Sequence, residues 1–232
     1  MTTGSGLRIG HAISLSVPEA PTPVGYRLAK RTLDLIAALL GLLLTSPILL
    51  IVALALKLES RGPILFRQQR LGLCGRQFTC YKFRTMHPGA EQEGHRDHVR
   101  TLISQERSTE QAFQAAWLPI TPDPRVTRLG AFLRRSHLDE LPQLINIVRG
   151  EMSLVGPRPP IPYEVEVYEP WHRRRLAVIP GLTGLWQATG WGRVSFDEGV
   201  RLDIAYIDRR SFWLDVGLIL RTIWQIVTGR QF

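Results

Sequence analysis

Residues 35–56 read LIAALLGLLLTSPILLIVALAL, 22 consecutive positions without a charge. As a helix this run rises about 33 Å, enough for a hydrocarbon core of roughly 30 Å. It begins too far into the chain, is too long and lacks the small-residue cleavage site of a secretory signal. Ser46-Pro47 falls near its middle, where proline removes a backbone hydrogen bond and bends a helix. Arg27, Lys30 and Arg31 precede the run, and Lys57, Arg61, Arg67 and Arg70 follow it. Basic flanks mark the cytoplasmic side, so both ends fall on one face of the membrane. A re-entrant helix that enters, bends at Pro47 and returns satisfies both features; an ordinary kinked span is the alternative. Asp34, at the edge of the run, needs a partner, and Arg31 on the previous turn is expected to supply it.

The chain is 232 residues long with a formal net charge of +9, and its only lysines are Lys30, Lys57 and Lys82. Residues 57–86 carry seven Lys/Arg against Glu59 alone, a local balance of +6. A basic band directly after an apolar run favours an anionic lipid surface, and no nucleic-acid partner is expected. Cys74 and Cys80 are the only cysteines. They lack metal-ligand spacing and are read as free thiols in a reducing compartment.

Two adjacent carboxylates stand out in Arg134-Arg135-Ser136-His137-Leu138-Asp139-Glu140-Leu141-Pro142-Gln143. Side-by-side anions repel, so the pair points to a cationic companion. One carboxylate holding a divalent metal while its neighbour attacks phosphorus fits that arrangement. Leu141, Leu144, Ile145 and Val148 recur at helical spacing, Pro142 suits a first turn and Gly150 a C-terminal stop. Acidic residues at a helix start also serve as plain capping groups, which is the competing reading.

Around these two features the expected organisation is a disordered tail (1–25), a re-entrant membrane helix (26–57) and a cytosolic domain (58–232). The fold class is α+β, mainly α. Ile64 to Gln69 and Gln77 to Arg84 read as a basic hairpin. Residues 87–117 read as a polar helical stretch whose His95, His98, Glu91, Glu93 and Asp97 are taken as solvated, not metal-binding. The stretch from Ala131 to Arg135 reads as a helix leading into the acidic pair, and Met152 to Pro159 as extended chain. Ser195-Phe196-Asp197-Glu198 is a capping box opening a helix to about Arg210. Trp213 to Val227 is apolar on most faces and suits either the headgroup layer or the core. The chain shows no internal repeat, dinucleotide fingerprint or P-loop.

The ordered motifs resemble one family. They are Lys30-Arg31 with Asp34, Ser46-Pro47, Gly62-Pro63, Phe66-Arg67-Gln68, Tyr81-Lys82-Phe83-Arg84-Thr85-Met86 and Asp123-Pro124-Arg125-Val126-Thr127. Leu138 to Gln143, Arg149-Gly150-Glu151-Met152-Ser153, Val155-Gly156-Pro157-Arg158-Pro159 and Pro180-Gly181-Leu182-Thr183-Gly184 complete the set. Over about residues 26 to 228 the chain resembles the monotopic polyprenyl-phosphate phosphoglycosyl transferases, bacterial sugar transferases that begin exopolysaccharide and related glycan assembly. Its short form looks most like the exopolysaccharide galactosyl-phosphate transferases.

The resemblance implies a re-entrant helix in the inner membrane, with a compact catalytic domain and amphipathic interfacial helices on the cytoplasmic face. It implies transfer of a hexose 1-phosphate from a UDP-sugar donor to undecaprenyl phosphate, releasing UMP, with Mg2+ as cofactor. Asp139 is then the nucleophile and Glu140 the metal ligand. Arg134 and Arg158 would hold phosphate oxygens; Lys82, Arg84 and Arg125 would do so, or else support the hairpin or contact lipid phosphate. Lys30, Arg31, Asp34, Ser46 and Pro47 would form the membrane anchor.

Two departures from the family are present: the first is expected to have no role in catalysis, and the second leaves sugar choice unread from its region. His137 stands where a small hydroxyl residue is commoner, and Gly190-Trp191-Gly192-Arg193 varies a Gly-Arg pair. Competing functions are a direct-transfer membrane glycosyltransferase, with Asp139 only a metal ligand, and a non-enzymatic basic membrane adaptor. The sequence leaves open the sugar, the glycan, partner proteins and oligomer formation.

Overall fold

A computed structural model describes residues 17–87, 89, 124–189 and 194–229. The expected first part of the tail, the His95/His98 group, Asp123 and the stretch 190–193 lie outside the described residues. The described chain is mostly helical with two small sheets.

Helix α1 runs Val24–Glu59 and continues through Pro47. Proline at 47 cannot donate to the carbonyl of Leu43, and the Ser46 hydroxyl takes that place, 2.7 Å away. Thr45 likewise bonds back to the Gly41 carbonyl at 2.6 Å. One stripe of the helix (Asp34, Ala38, Leu42, Leu49, Val52, Leu56) packs on the rest of the molecule. The opposite side exposes Ile36, Leu40, Leu43, Leu44, Ile48, Leu50, Ile51 and Leu54. So α1 buries side chains at Asp34 and Ala38 and again at Val52 and Leu56, while no residue from 39 to 51 is buried and much of that stretch is apolar and uncovered.

Both ends of α1 are fastened to the same body. Near the start, Lys30 donates to the Val155 carbonyl (2.9 Å) and pairs with Asp215 (3.0 Å), which also accepts from Tyr26. Arg31 and Asp34 do not pair as the sequence suggested. Arg31 donates to the Ile147 and Val148 carbonyls (2.7 and 2.8 Å), while Asp34 accepts from Ser153 Oγ and the Leu154 N–H (3.0 and 2.9 Å). Groups over a hundred residues away offer buried, well-aligned partners that an arginine one turn earlier cannot match. At the far end, Glu59 accepts from the Leu129 N–H at 3.1 Å. Arg84 holds the Leu56, Ser60 and Arg61 carbonyls and the Ser60 hydroxyl.

Strands β1 (Leu65–Leu71) and β2 (Gln77–Phe83) form the antiparallel hairpin, in register from Leu65 opposite Phe83 to Leu71 opposite Gln77. Helix α2 (Arg128–Arg135) and α3 (Gln143–Arg149) follow, and α3 ends at Gly150, whose φ of +80° a side chain would strain. Strand β3 (Ser153–Val155) pairs in parallel with β4 (Gly181–Thr183). Between them lie α4 (Pro162–Val165) and a 3-10 helix (His172–Ala177). Helices α5 (Leu185–Thr189), α6 (Phe196–Arg209) and α7 (Phe212–Thr228) complete the chain. The Ser195–Glu198 capping box forms as read.

Residues of α1 enter two of the four core clusters: Ala38 with Phe78, Leu144 and Ile147, and Val52 and Leu56 with Phe83 and Leu133. A third cluster centres on Trp186, Phe196 and Val200, and a fourth on Val155, Tyr206 and Leu218. Residues 17–25, expected to belong to a loose tail, are instead held. The Ala20 N–H bonds the Ala177 carbonyl, and Arg210 bonds the Pro21 carbonyl and Thr22 hydroxyl. Helix α7 buries Asp215 and Leu218 yet exposes Trp213, Leu220, Ile223, Trp224 and Val227, so it packs on the core and presents an apolar face as well.

Asp215 is 1% exposed. Removing its cationic partner leaves a buried charge uncompensated, at a cost of about 3 kcal/mol. Lys30→Met is therefore expected to lower the thermal midpoint of the detergent-solubilised protein by several degrees. Lys57→Met, on an exposed residue, is expected to leave the midpoint within a degree.

Candidate active site

The acidic pair does not open a regular helix directly. Helix α2, capped by Thr127 Oγ accepting from the Gly130 N–H (2.9 Å), stops at Ser136. His137 then takes a left-handed conformation (φ +56°) and reverses the chain into a 3-10 turn, Leu138–Glu140. Pro142 caps α3, two residues beyond Glu140. Left-handed backbone suits His better than most side chains, which gives position 137 a conformational task.

Within this turn the two carboxylates have opposite fates. Asp139 is 9% exposed. Burial first, and the neighbouring Glu140 charge second, push its carboxyl up to about 6, against the opposing pull of Lys82, His137 and Arg134. Burial also raises Glu140, but the charge and hydrogen bond of Lys82 outweigh it, so Glu140 stays below the usual carboxylate range. The Lys82 ammonium is 2.5 Å from Glu140 Oε1. Adjacent carboxylates whose protonation is driven apart are suited to different roles.

The surrounding geometry fixes these groups. Arg134, on the last turn of α2, donates from Nε to Thr85 Oγ at 2.9 Å. Helix α2 reaches Thr85 because Gly130 lies against it: a Cβ there would sit 2.0 Å from the Thr85 carbonyl oxygen. Asn146, fully buried on α3, uses its amide as a short strand. It accepts from the Tyr81 N–H (3.1 Å) and donates to the Thr79 carbonyl (2.7 Å) on the outer edge of β2. That contact holds β2, and with it Lys82, against the helix that follows Glu140.

Arg158 is set by a separate buried network. It pairs with buried Glu164 at 3.4 Å, and its carbonyl accepts from Arg175, which is bonded to Tyr168 and Asp203. Arg70 bonds the next carbonyl, Pro159, at 2.7 Å. The charge of Arg158 also helps hold Glu140 down.

Of the expected site residues, Asp139, Glu140, Lys82, Arg134 and Arg158 therefore act on one another. Arg84 is buried and donates to the carbonyls at the end of α1, a role in the fold. Arg125 is placed beside the chain after β2, where its carbonyl accepts from the His87 N–H and Val126 bridges Met86. Sequence reasoning missed Asn146, Thr85, Glu164, Arg175 and Asp203. Asn146 carried no periodic signal, since it lies off the apolar positions 141, 144, 145 and 148, and Thr85 appeared only within a quoted motif.

Among the described residues no three His, Cys, Asp or Glu side chains cluster as a metal site. The available donors are the two adjacent carboxylates. Mg2+ commonly takes one or two carboxylates and completes its shell with water and substrate phosphates, so the pair fits it.

A family model described as bacterial sugar transferase matches residues 25–229. The exopolysaccharide production protein ExoY of Rhizobium meliloti is 38% identical over 219 residues, 92% of this chain and 93% of the relative. The galactosyl transferase CpsE of Streptococcus agalactiae is 39% identical over 205 residues, 88% of this chain but 43% of the relative, so the chain spans less than half of that protein. The UDP-glucose:undecaprenyl-phosphate glucose-1-phosphate transferase of Caulobacter vibrioides is 41% identical over 220 residues, 91% of this chain and 74% of the relative. On this evidence the chain belongs to the bacterial sugar transferase family.

Proposed function

We propose that this protein transfers a hexose 1-phosphate from a UDP-sugar to undecaprenyl phosphate in two steps, through an adduct on Asp139. The observation that carries the reading is the division of labour within one turn. Asp139 is buried and weakly solvated, whereas Glu140 is kept ionised by a cation 2.5 Å away. A desolvated carboxylate is the better nucleophile, and a permanently charged one the better metal ligand.

In the first step an Asp139 carboxylate oxygen attacks the phosphorus that bears the sugar. The bond from that phosphorus to the bridging oxygen breaks, and UMP departs with the electron pair. In the second, a phosphate oxygen of the lipid attacks the same phosphorus. The acyl-phosphate bond breaks, the sugar diphosphate lipid leaves, and the Asp139 carboxylate is restored. Arg134 and Arg158 orient phosphate oxygens, and Lys82 screens the acidic pair from the incoming anion. Glu140 would hold Mg2+, which when bound would supply charge neutralisation to the diphosphate. Arg125 remains a candidate contact for the lipid phosphate.

The name of the Caulobacter relative supports the donor and acceptor classes, while the Streptococcus name specifies a galactosyl unit. The hexose is therefore a matter for a donor screen reading UMP release. The fastening of both α1 ends to one body supports a re-entrant helix, with the domain on the cytoplasmic face of the inner membrane, where UDP-sugars are available. The exposed apolar face of α7 suits the headgroup layer of the same membrane.

With donor and Mg2+ but no lipid acceptor, UMP is expected to reach one equivalent per protein, with a phosphosugar mass added to Asp139. Asp139→Asn should reduce turnover at least about a thousandfold and remain in the membrane fraction. Turnover by direct transfer, with no adduct, would contradict the scheme. The single-turnover rate of UMP release should fall tenfold per pH unit below about 6 and level above it, because Asp139 must be ionised to attack. Lys82→Met should tighten Mn2+ binding to the substrate-free protein about tenfold, or about 1.4 kcal/mol, by removing a competing cation. Its turnover should nevertheless drop.

A further inference from the structure

Between α1 and the hairpin lies an open groove of about 910 Å³, lined by Leu49, Leu50, Ala53, Phe66, Pro142 and Ile145 among others. We infer that this groove receives the isoprenoid chain of the lipid-phosphate acceptor, with its phosphate end at the Asp139 turn; the inference rests on the transfer reaction proposed above.

Four observations favour that occupant. The groove is continuous with the site: Pro142 caps the helix after the acidic turn, and Phe66 lies directly opposite Lys82 in the hairpin register. Lys82 in turn holds Glu140. Its outer wall is the uncovered, apolar side of α1, where Leu50 is exposed, so a chain can enter sideways from a bilayer without crossing water. Its volume falls in the roughly 300–1,000 Å³ range of ligand pockets, and its walls are almost wholly apolar, as a hydrocarbon ligand requires. The charged residues that line it, Arg67 and Arg84, are cationic, and Lys82 and Arg134 stand by the acidic turn at its end. An ordinary phospholipid also offers acyl chains and phosphate, but gains nothing from a groove that ends at a phosphoryl-transfer centre.

The test is photolabelling of the whole protein in nanodiscs of phosphatidylethanolamine and phosphatidylglycerol, with a diazirine-bearing farnesyl phosphate and no nucleotide sugar. Label should concentrate on peptides covering 42–53, 63–67 and 142–145. Excess unlabelled farnesyl phosphate should reduce it at least fivefold, and equal added phosphatidylglycerol should not. Label on residues 212–228 instead, or equal competition by phosphatidylglycerol, would overturn the assignment. Labelling needs no turnover, so Asp139→Asn protein should label like the parent. A failure of the covalent scheme, read from the missing adduct, is thereby kept apart from a failure of the groove.

Discussion

The structure depends on an apolar helix being anchored by polar contacts at both of its ends to one body. Lys30, Arg31 and Asp34 reach inward to Asp215, the end of α3 and β3; Glu59 and the carbonyls of the last turn are met by Leu129 and Arg84. Buried ion pairs and charged hydrogen bonds of this kind are costly to break singly, because each partner is left desolvated. A helix held this way cannot swing free as a separate span. Its uncovered apolar side is suited to lipid, while its inner stripe forms part of the core. In the proposed membrane placement, α1 would then fix the depth of the whole domain.

That depth is passed on to the chemistry through α3. Leu144 and Ile147 pack on Ala38, Arg31 binds the carbonyls at the end of α3, and Asn146 joins the same helix to β2. The acidic turn precedes α3 and Lys82 lies on β2, so the start of α1, Asp139 and Lys82 share one set of contacts. The opposite protonation tendencies of Asp139 and Glu140 follow from this placement. They are neighbours in the chain, yet only one has an ammonium within hydrogen-bond distance. In a partly dry site such differences are amplified, since each unit charge is poorly screened.

What was legible in the sequence was what local physics decides. The apolar run, the hairpin with its glycine-bearing turn, the Ser195 capping box and the Gly150 stop each need only a few neighbouring residues. The acidic pair was legible because like charges side by side are conspicuous. Partners distant in the chain were not. Asp34 was matched to Arg31 because i, i+3 spacing is all that a sequence displays, whereas its true partners lie 119 and 120 positions away. Arg84 reads as one more basic residue beside a membrane segment, and only the fold shows its guanidinium closing the end of α1. Arg175, Asp203 and Glu164 look like surface charges on amphipathic helices, and their burial comes from packing around the loop that carries Arg158.

In the proposed reaction a single site meets one reactant from water and another from lipid, and a covalent stage on Asp139 would relax the demand that both be bound at once. The donor's nucleotide is hydrophilic and the acceptor's tail is not, so a ternary complex would have to straddle the interface with all reacting atoms aligned. Loading the phosphosugar onto a fixed carboxylate divides that alignment into two separate ones, each with one mobile reactant. In that scheme the first would use the polar side of the turn, where Lys82, Arg134 and Arg158 gather, and the second the apolar groove that begins at Pro142. On this argument, membrane anchoring and covalent catalysis are one requirement: a nucleophile tethered at the interface is useful only if it can carry its cargo from the aqueous reactant to the lipid one.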